Sequence, residues 1–418
     1  MTLKSLNYVI ITISIILIII LQGCGGSQTP QPAANPTATS IPTKVSIPNP
    51  TATSKAQSTS NLDAQAYFDK GVDCEHQTDY ECAIENYSHT LELEPSYGEA
   101  YNNRGVLYII QGDYESALAD FNQLLKLNPT HVEAHNNRGV VYKAQGDTTQ
   151  ALADFNKTVE LNPTHVEVYN NRGLIYKAQG EYEQSLADFN QALELDPMNA
   201  NARNNRGTVY TIQGDSDQAL ADFNQAIEVE PTHTEAYNNR GELYFNQGDY
   251  KQALADFNKA IEVDPTNANA YNNRASVYSM QGDDEQAIVA FNKALELDPT
   301  QVDAHYNRAL IYYNQGDYEQ ALIGYNHTLE LDPTYVDAYY NRGLMYVAQG
   351  NYEPALADLN QLIKFEPDQP EHYLIRASLH IELGNKTEAR ADLNKYLEEG
   401  DDPEWRAWAE ETLNALED

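Results

Sequence analysis

The chain has 418 residues, with 62 Asp or Glu against 26 Lys or Arg and a formal net charge of −36. That balance argues against nucleic acid and anionic lipid headgroups as partners, since both need a basic surface. Length alone suggests about three ordinary domains, but a fixed internal period overrides this, because a stacked array needs no single large core.

The N-terminus reads as a targeting segment. Lys4 supplies a positive charge ahead of the apolar run Val9–Leu21, which is shorter than the roughly 20 residues of a membrane span. Leu21-Gln22-Gly23-Cys24 follows. This stretch resembles the lipobox of bacterial lipoproteins, although Gln22 departs from the small residue usual there. The resemblance implies removal of residues 1–23 and acylation of Cys24. It also implies an extracytoplasmic place on a bacterial membrane, the outer one where the cell has two. Two or three acyl chains hold a protein stably on a bilayer, where one does not. Residues 24–62 comprise that Cys and a stretch rich in Pro, Ser and Thr. Such a composition buries no core and reads as a disordered tether.

From Ala64 the sequence repeats every 34 residues, in units starting at 64, 98, 132, 166, 200, 234, 268, 302, 336 and 370. In the second, Tyr101, Gly105 and Tyr108 share one face of a first helix. Gly112-Asp113 breaks it and starts the next. Ala117, Phe121 and Leu124 share a face of the second helix, and Pro129 ends it. Position 8 is Gly or Ala in every unit, and position 20 is Ala except at Ser185. Position 15 is Gly except at Thr78, and position 32 is Pro except at Asp401. Small residues at 8 and 20 let two helices approach, and aromatic residues fill the space around them.

The pattern resembles the tetratricopeptide repeat over residues 63–403. The resemblance implies an all-α fold: a right-handed superhelical α-solenoid of ten helix–turn–helix units, first helices lining a concave groove. Residues 404–418, with Trp405, Trp408, Ala409, Leu413 and Leu416 near one face, read as a capping helix.

Position 6 carries Asn103, Asn137, Asn171, Asn205, Asn239, Asn273, Asn307 and Asn341. By resemblance these border the groove. A primary amide both donates and accepts, so it can grip a peptide backbone without reading side chains. Position 2 is acidic in seven units, from Glu99 to Glu371, which suits a neutral or basic extended segment. Lys143 and Lys177 are the consecutive groove cations.

Position 7 is Arg in nine units and position 23 is Asp in seven. A partly buried guanidinium needs a partner, so Arg104, Arg138 and Arg172 are expected to pair with aspartates such as Asp120, Asp154 and Asp188. Ala290 and Gly324 break the match and leave Arg274 and Arg308 in need of other acceptors.

Cys74 and Cys82 flank the first inter-helix turn. Secreted helical-repeat proteins rich in cysteine use similar spacing to staple a repeat, and an extracytoplasmic site permits a disulfide. Two free buried thiols are the alternative. The ten histidines do not converge on a metal, and His131, His165 and His233 read as surface residues. No phosphate loop or nucleophile elbow is present. The expectation is therefore a non-enzymatic scaffold without cofactor, binding protein partners in its groove and touching the membrane through its lipid alone. A self-associating surface spacer, or the non-catalytic subunit of an envelope enzyme complex, is the alternative.

Overall fold

A computed structural model describes residues 59–417. The segment read as a signal, 1–23, the lipidation candidate Cys24 and the segment read as a tether, up to residue 58, lie outside the described residues. The first helix, Thr59–His76, starts inside the segment read as tether. Its opening residues Ser60, Asn61 and Asp63 are types that helix starts favour, so polarity there marks a helix end as well as a linker. All elements among the described residues are helices.

Each repeat is a helix pair, and Gly98–Gln111 with Tyr114–Leu127 stand for the rest. The Asp113 side chain accepts from the Ser116 N–H at 3.1 Å and caps the second helix. Asp79, Asp147, Asp249, Asp283 and Asp317 do the same. Part of the acidic excess is thus structural. The turn itself needs a left-handed residue, supplied by Gly112 at φ 76° and its counterparts. The first repeat makes the same turn with Thr78, at φ 59°.

Close approach of the two helices explains position 8. A Cβ added at Gly105 would lie 2.8 Å from the ring of Phe121, which is fully buried beneath it. Phe155, Phe189 and Phe223 sit the same way under Gly139, Gly173 and Gly207. Burying each ring contributes roughly 1.5–3 kcal/mol.

The described residues form two compact units, and the chain passes from one to the other between Leu243 and Tyr244, inside the helix Thr234–Asn246. In the first unit, first helices of successive repeats pack on one another from Gly98–Gln111 through Ala200–Ile212 and make an inner row. Its first repeat carries a bond between Cys74 and Cys82, Cα atoms 5.8 Å apart, joining Thr59–His76 to Tyr80–Leu93. In the second unit, Ala268–Met280 and Val302–Asn314 pack likewise. That unit ends in the helix Pro403–Glu417. Its Ala409, Trp405, Trp408, Leu413 and Leu416 cover Leu374, Leu393 and Tyr396 of the last repeat.

Candidate functional site

Two polar systems run through the repeats, and both do more than the sequence suggests. The first centres on position 7. Arg172 Nε and Nη2 donate to the two carboxylate oxygens of Asp188 at 2.8 and 2.6 Å. Its Nη1 donates to Asn156 Oδ1, in the preceding repeat, at 2.7 Å. Arg104 with Asp120 and Ser88, and Arg138 with Asp154 and Asn122, repeat the arrangement. So do Arg206, Arg342 and Arg376. Tyr169 and Tyr176 lie one turn to either side, their ring centres 5.6 and 5.9 Å from the Arg172 guanidinium. The planar fork bonds a carboxylate along one edge while the other edge stays free for a neutral amide. Each arginine therefore closes its own helix pair and the seam to the repeat before.

Sequence reasoning finds the aspartates and misses the amide at position 25. The signal is present, because Asn fills that position in every repeat after the first. On a helix face it passes for solvated surface.

Charge at these seams varies with the neighbours. Burial raises the Asp120 carboxyl above its ordinary value despite Arg104. Burial pushes Asp154 the same way, but Arg138 and His135 together hold it below its ordinary value. His135 Nδ1 lies 2.9 Å from Asp154 Oδ1. Where Asp gives way to Ala290 and Gly324, Arg274 and Arg308 keep their bonds to Asn258 and Asn292. Arg274 Nε is buried without a partner, and its guanidinium lies 5.1 Å from the Tyr271 ring centre.

The second system centres on position 6. Asn137, Asn171, Asn273, Asn307 and Asn341 are buried, and Asn103, Asn205 and Asn239 are half-buried. Asn103, Asn137, Asn205, Asn239 and Asn341 donate to the repeat before them. Asn137 Nδ2 donates to Asn102 Oδ1 at 3.3 Å, Asn205 to Asn170 at 2.9 Å and Asn239 to Asn204 at 2.8 Å. Asn341 donates to the Tyr306 hydroxyl at 2.9 Å. Positions 5 and 6 are also linked within a repeat, as Asn102 Nδ2 donates to Asn103 Oδ1 at 3.3 Å. One chain of bonds runs from Asn136 through Asn137, Asn102, Asn103 and the Tyr87 hydroxyl to Glu75. Buried amides call for partners, and the register of position 5 against position 6 of the next repeat supplies them at Asn102, Asn170 and Asn204, whereas Asn136 Oδ1 and Asn272 Oδ1 are buried without a bond. These residues are a seam before they are a surface.

The inner row presents other groups. Position 2 acids Glu99, Glu167 and Glu235 in the first unit, and Asp337 and Glu371 in the second, are exposed. Lys143 and Lys177 are half-buried, and among the described residues no carboxylate lies within ion-pair distance of either. Lys143 Nζ donates to Asn171 Oδ1 at 3.5 Å, and Lys177 Nζ to Thr208 Oγ1 at 3.2 Å. Burial, and then the charge of Lys177, pushes the Lys143 ammonium down to about 8. Burial lowers Lys177 as well. The repeat-end histidines are not plain surface: His131, His165 and His233 accept from the N–H groups of Ala134, Val168 and Ala236 and cap first helices. No group of residues that could hold a metal occurs among the described residues.

Models of the tetratricopeptide repeat match residues 132–165 and 234–267, in the register of the repeats above. Further tetratricopeptide models match 105–146, 173–211, 207–248 and 280–316, then 310–376 and 344–414, and also 86–119, 155–187 and 257–289. Together they leave no gap from 86 to 414. No curated protein matches the chain. Among solved structures, a tetratricopeptide repeat protein from Parabacteroides merdae is 25% identical. That match covers 64% of this chain and 99% of that one, with a TM-score of 0.50. The pilF protein of Pseudomonas aeruginosa is 20% identical over 52% of this chain and 97% of that one, with a TM-score of 0.47. Yeast Tom70 is 16% identical over 85% and 95%, with a TM-score of 0.42.

Proposed function

Since the chain belongs to the tetratricopeptide-repeat family, whose fold commonly mediates protein–protein interaction, we propose that it is a non-catalytic scaffold. It is tethered through lipid on Cys24 at the outer side of a bacterial membrane. It takes extended, neutral or basic segments of partner proteins along the inner rows of its two units. The observation that carries this reading is the acid set at position 2. Seams take up the Asn and Arg side chains of positions 5 to 7, while Glu99, Glu167 and Glu235 in one row and Asp337 and Glu371 in the other stay exposed, Glu167 and Glu235 beside His165 and His233. A periodic acidic edge suits a chain that binds by spacing and charge.

Selection from a library of unstructured peptides tests it. Basic or neutral peptides should be enriched, and a Glu99→Lys/Glu167→Lys/Glu235→Lys variant should lose them while keeping its melting temperature. Failure to select any peptide, with particle size growing with concentration in light scattering, would favour a self-associating spacer instead. Labelling with radioactive palmitate, compared with Cys24→Ala, tests the anchor.

A further inference from the structure

Repeats 132–165 and 302–335 both carry His at position 4 and Arg at position 7. In the first, His135 Nε2 meets Pro129 O at 3.0 Å, and Nδ1 meets Asp154 Oδ1. Arg138 Nε and Nη2 bond the same carboxylate at 2.7 and 2.8 Å. Three nitrogens thus converge on one acid. In the second repeat, His305 Nε2 meets Pro299 O at 3.0 Å, which fixes the ring in the same orientation. The acid is missing, because position 23 is Gly324. His305 is 9% exposed and its Nδ1 has no partner. Arg308 donates from Nη1 to Asn292, and its Nε and Nη2 have no acceptor among the described residues.

Close packing of the two helices beneath the site leaves Gly324 no room for a side-chain stem. A Cβ added at Gly324 would lie 2.6 Å from Ala309 Cβ, at position 8. Ala309 therefore takes the room of the side-chain stem at 324. It does not take the room of the carboxylate. In the last repeat Ala377 also stands at position 8, and Asp392 still reaches Arg376 at 2.8 and 2.6 Å. Arg308 is half-buried, and the exposed His327 ring, one turn on from Gly324, lies 5.2 Å from the His305 ring.

We propose that Arg308 Nε and Nη2, with His305 Nδ1, form a binding site for a carboxylate supplied by another molecule, in the place Asp154 fills for Arg138 and His135. Since Nε2–H is committed to Pro299 O, Nδ1 donates only when the ring is protonated. The carboxylate therefore arrives with uptake of one proton from solvent onto Nδ1, and binding tightens as pH falls. Burial first, and then Arg308 and the His327 ring 5.2 Å away, oppose its protonation in the empty site. A carboxylate between Arg308 and the ring reverses that balance. The site is separate from the inner rows and does not rest on their reading.

The test is a titration of the full chain, with its histidine rings isotopically labelled, by sodium acetate against sodium chloride at equal ionic strength. A second arm uses an end-blocked glutamate peptide. His305, assigned through His305→Asn, should move saturably with acetate or with the peptide, and not with chloride. Saturation by the peptide at lower concentration identifies a protein side chain as the natural ligand, and equal saturation identifies a free acid; either supports the site. Arg308→Gln should weaken binding about tenfold or more. Ala309→Gly/Gly324→Asp rebuilds the acid of the other repeats, so it should abolish the response while remaining folded. A His305 signal indifferent to both carboxylates, or a response unchanged in the rebuilt variant, overturns the proposal.

Discussion

Arg172 reaches Asp188 in its own repeat and Asn156 in the repeat before it, so a single guanidinium closes a helix pair and a seam. Asp188→Ala leaves that charge half-buried and bonded only to a neutral amide, and should destabilise the array by about 3 kcal/mol. Asp188→Ala/Arg172→Leu removes both charges and should recover most of the loss. Urea midpoints of the two variants check this. Equal losses would mean that the ion pair itself, and no stranded charge, sets the cost.

The inter-helix turn of the first repeat departs from the others at Thr78, which holds φ 59° where its counterparts are Gly. A β-branched residue is strained there by about 1–2 kcal/mol. Thr78→Gly should raise the melting temperature, with hydrogen exchange slowing in Tyr80–Leu93 in particular. A lower melting temperature would show that the Thr78 hydroxyl, which donates to the Gln77 carbonyl, outweighs the strain.

Reduction of the Cys74–Cys82 bond removes a covalent link between the two helices of a repeat that has no repeat before it. Loss of about 2 kcal/mol is expected, at the low end for disulfides because the loop is short. Exchange should quicken over Thr59–Leu93 and stay unchanged beyond Pro129. Mass after alkylation, with and without reductant, checks the bond itself.

Burial lowers three histidines of the second unit, His305, His372 and His380, below their ordinary value. The folded state resists protonation at these rings and the unfolded chain does not. Above pH 6.5 both states are neutral there and no penalty applies. As pH falls through 6.5 toward the lowered values, the unfolded state takes up more protons and stability declines. Melting curves between pH 8 and 5 should show this, and His372→Asn should flatten the decline. An unchanged slope in that variant would assign the loss to carboxylates instead.

The sequence makes the helix pairs legible because close packing allows few residue types. Gly105 is small because Phe121 lies on it, and Pro129 ends a helix wherever it stands. The seams are harder to read, because the residues that form them are chemically ambiguous. Asn103 and Asn137 carry the same amide whether they face a peptide or the repeat before them. The difference is a register between positions 5 and 6 that exists only once helices stack. Asn156 is hidden for the same reason, since its partner lies 16 residues away across a repeat boundary. Arg172 gives itself away because a cation at a packing position demands an acid, and Asp188 recurs at a matching interval.

Lys143 poses the opposite case, a cation on the inner row with no acid beside it. Burial and the neighbouring Lys177 push its ammonium down to about 8. Both folded and unfolded chains carry the charge at pH 7, and the folded one bears the cost of desolvating it. As pH rises through about 8 the folded state sheds its proton first, so stability should increase with pH until the unfolded lysine also titrates, near 10.5. Lys143→Met removes the cost, should raise the melting temperature at pH 7, and should flatten its rise between pH 7 and 9, leaving the share of Lys177. The side chain keeps its length and apolar stem, so packing against Asn171 changes little. A variant less stable than the parent at pH 7 would show that the bond to Asn171 outweighs desolvation, and that Lys143 is a structural residue of the seam.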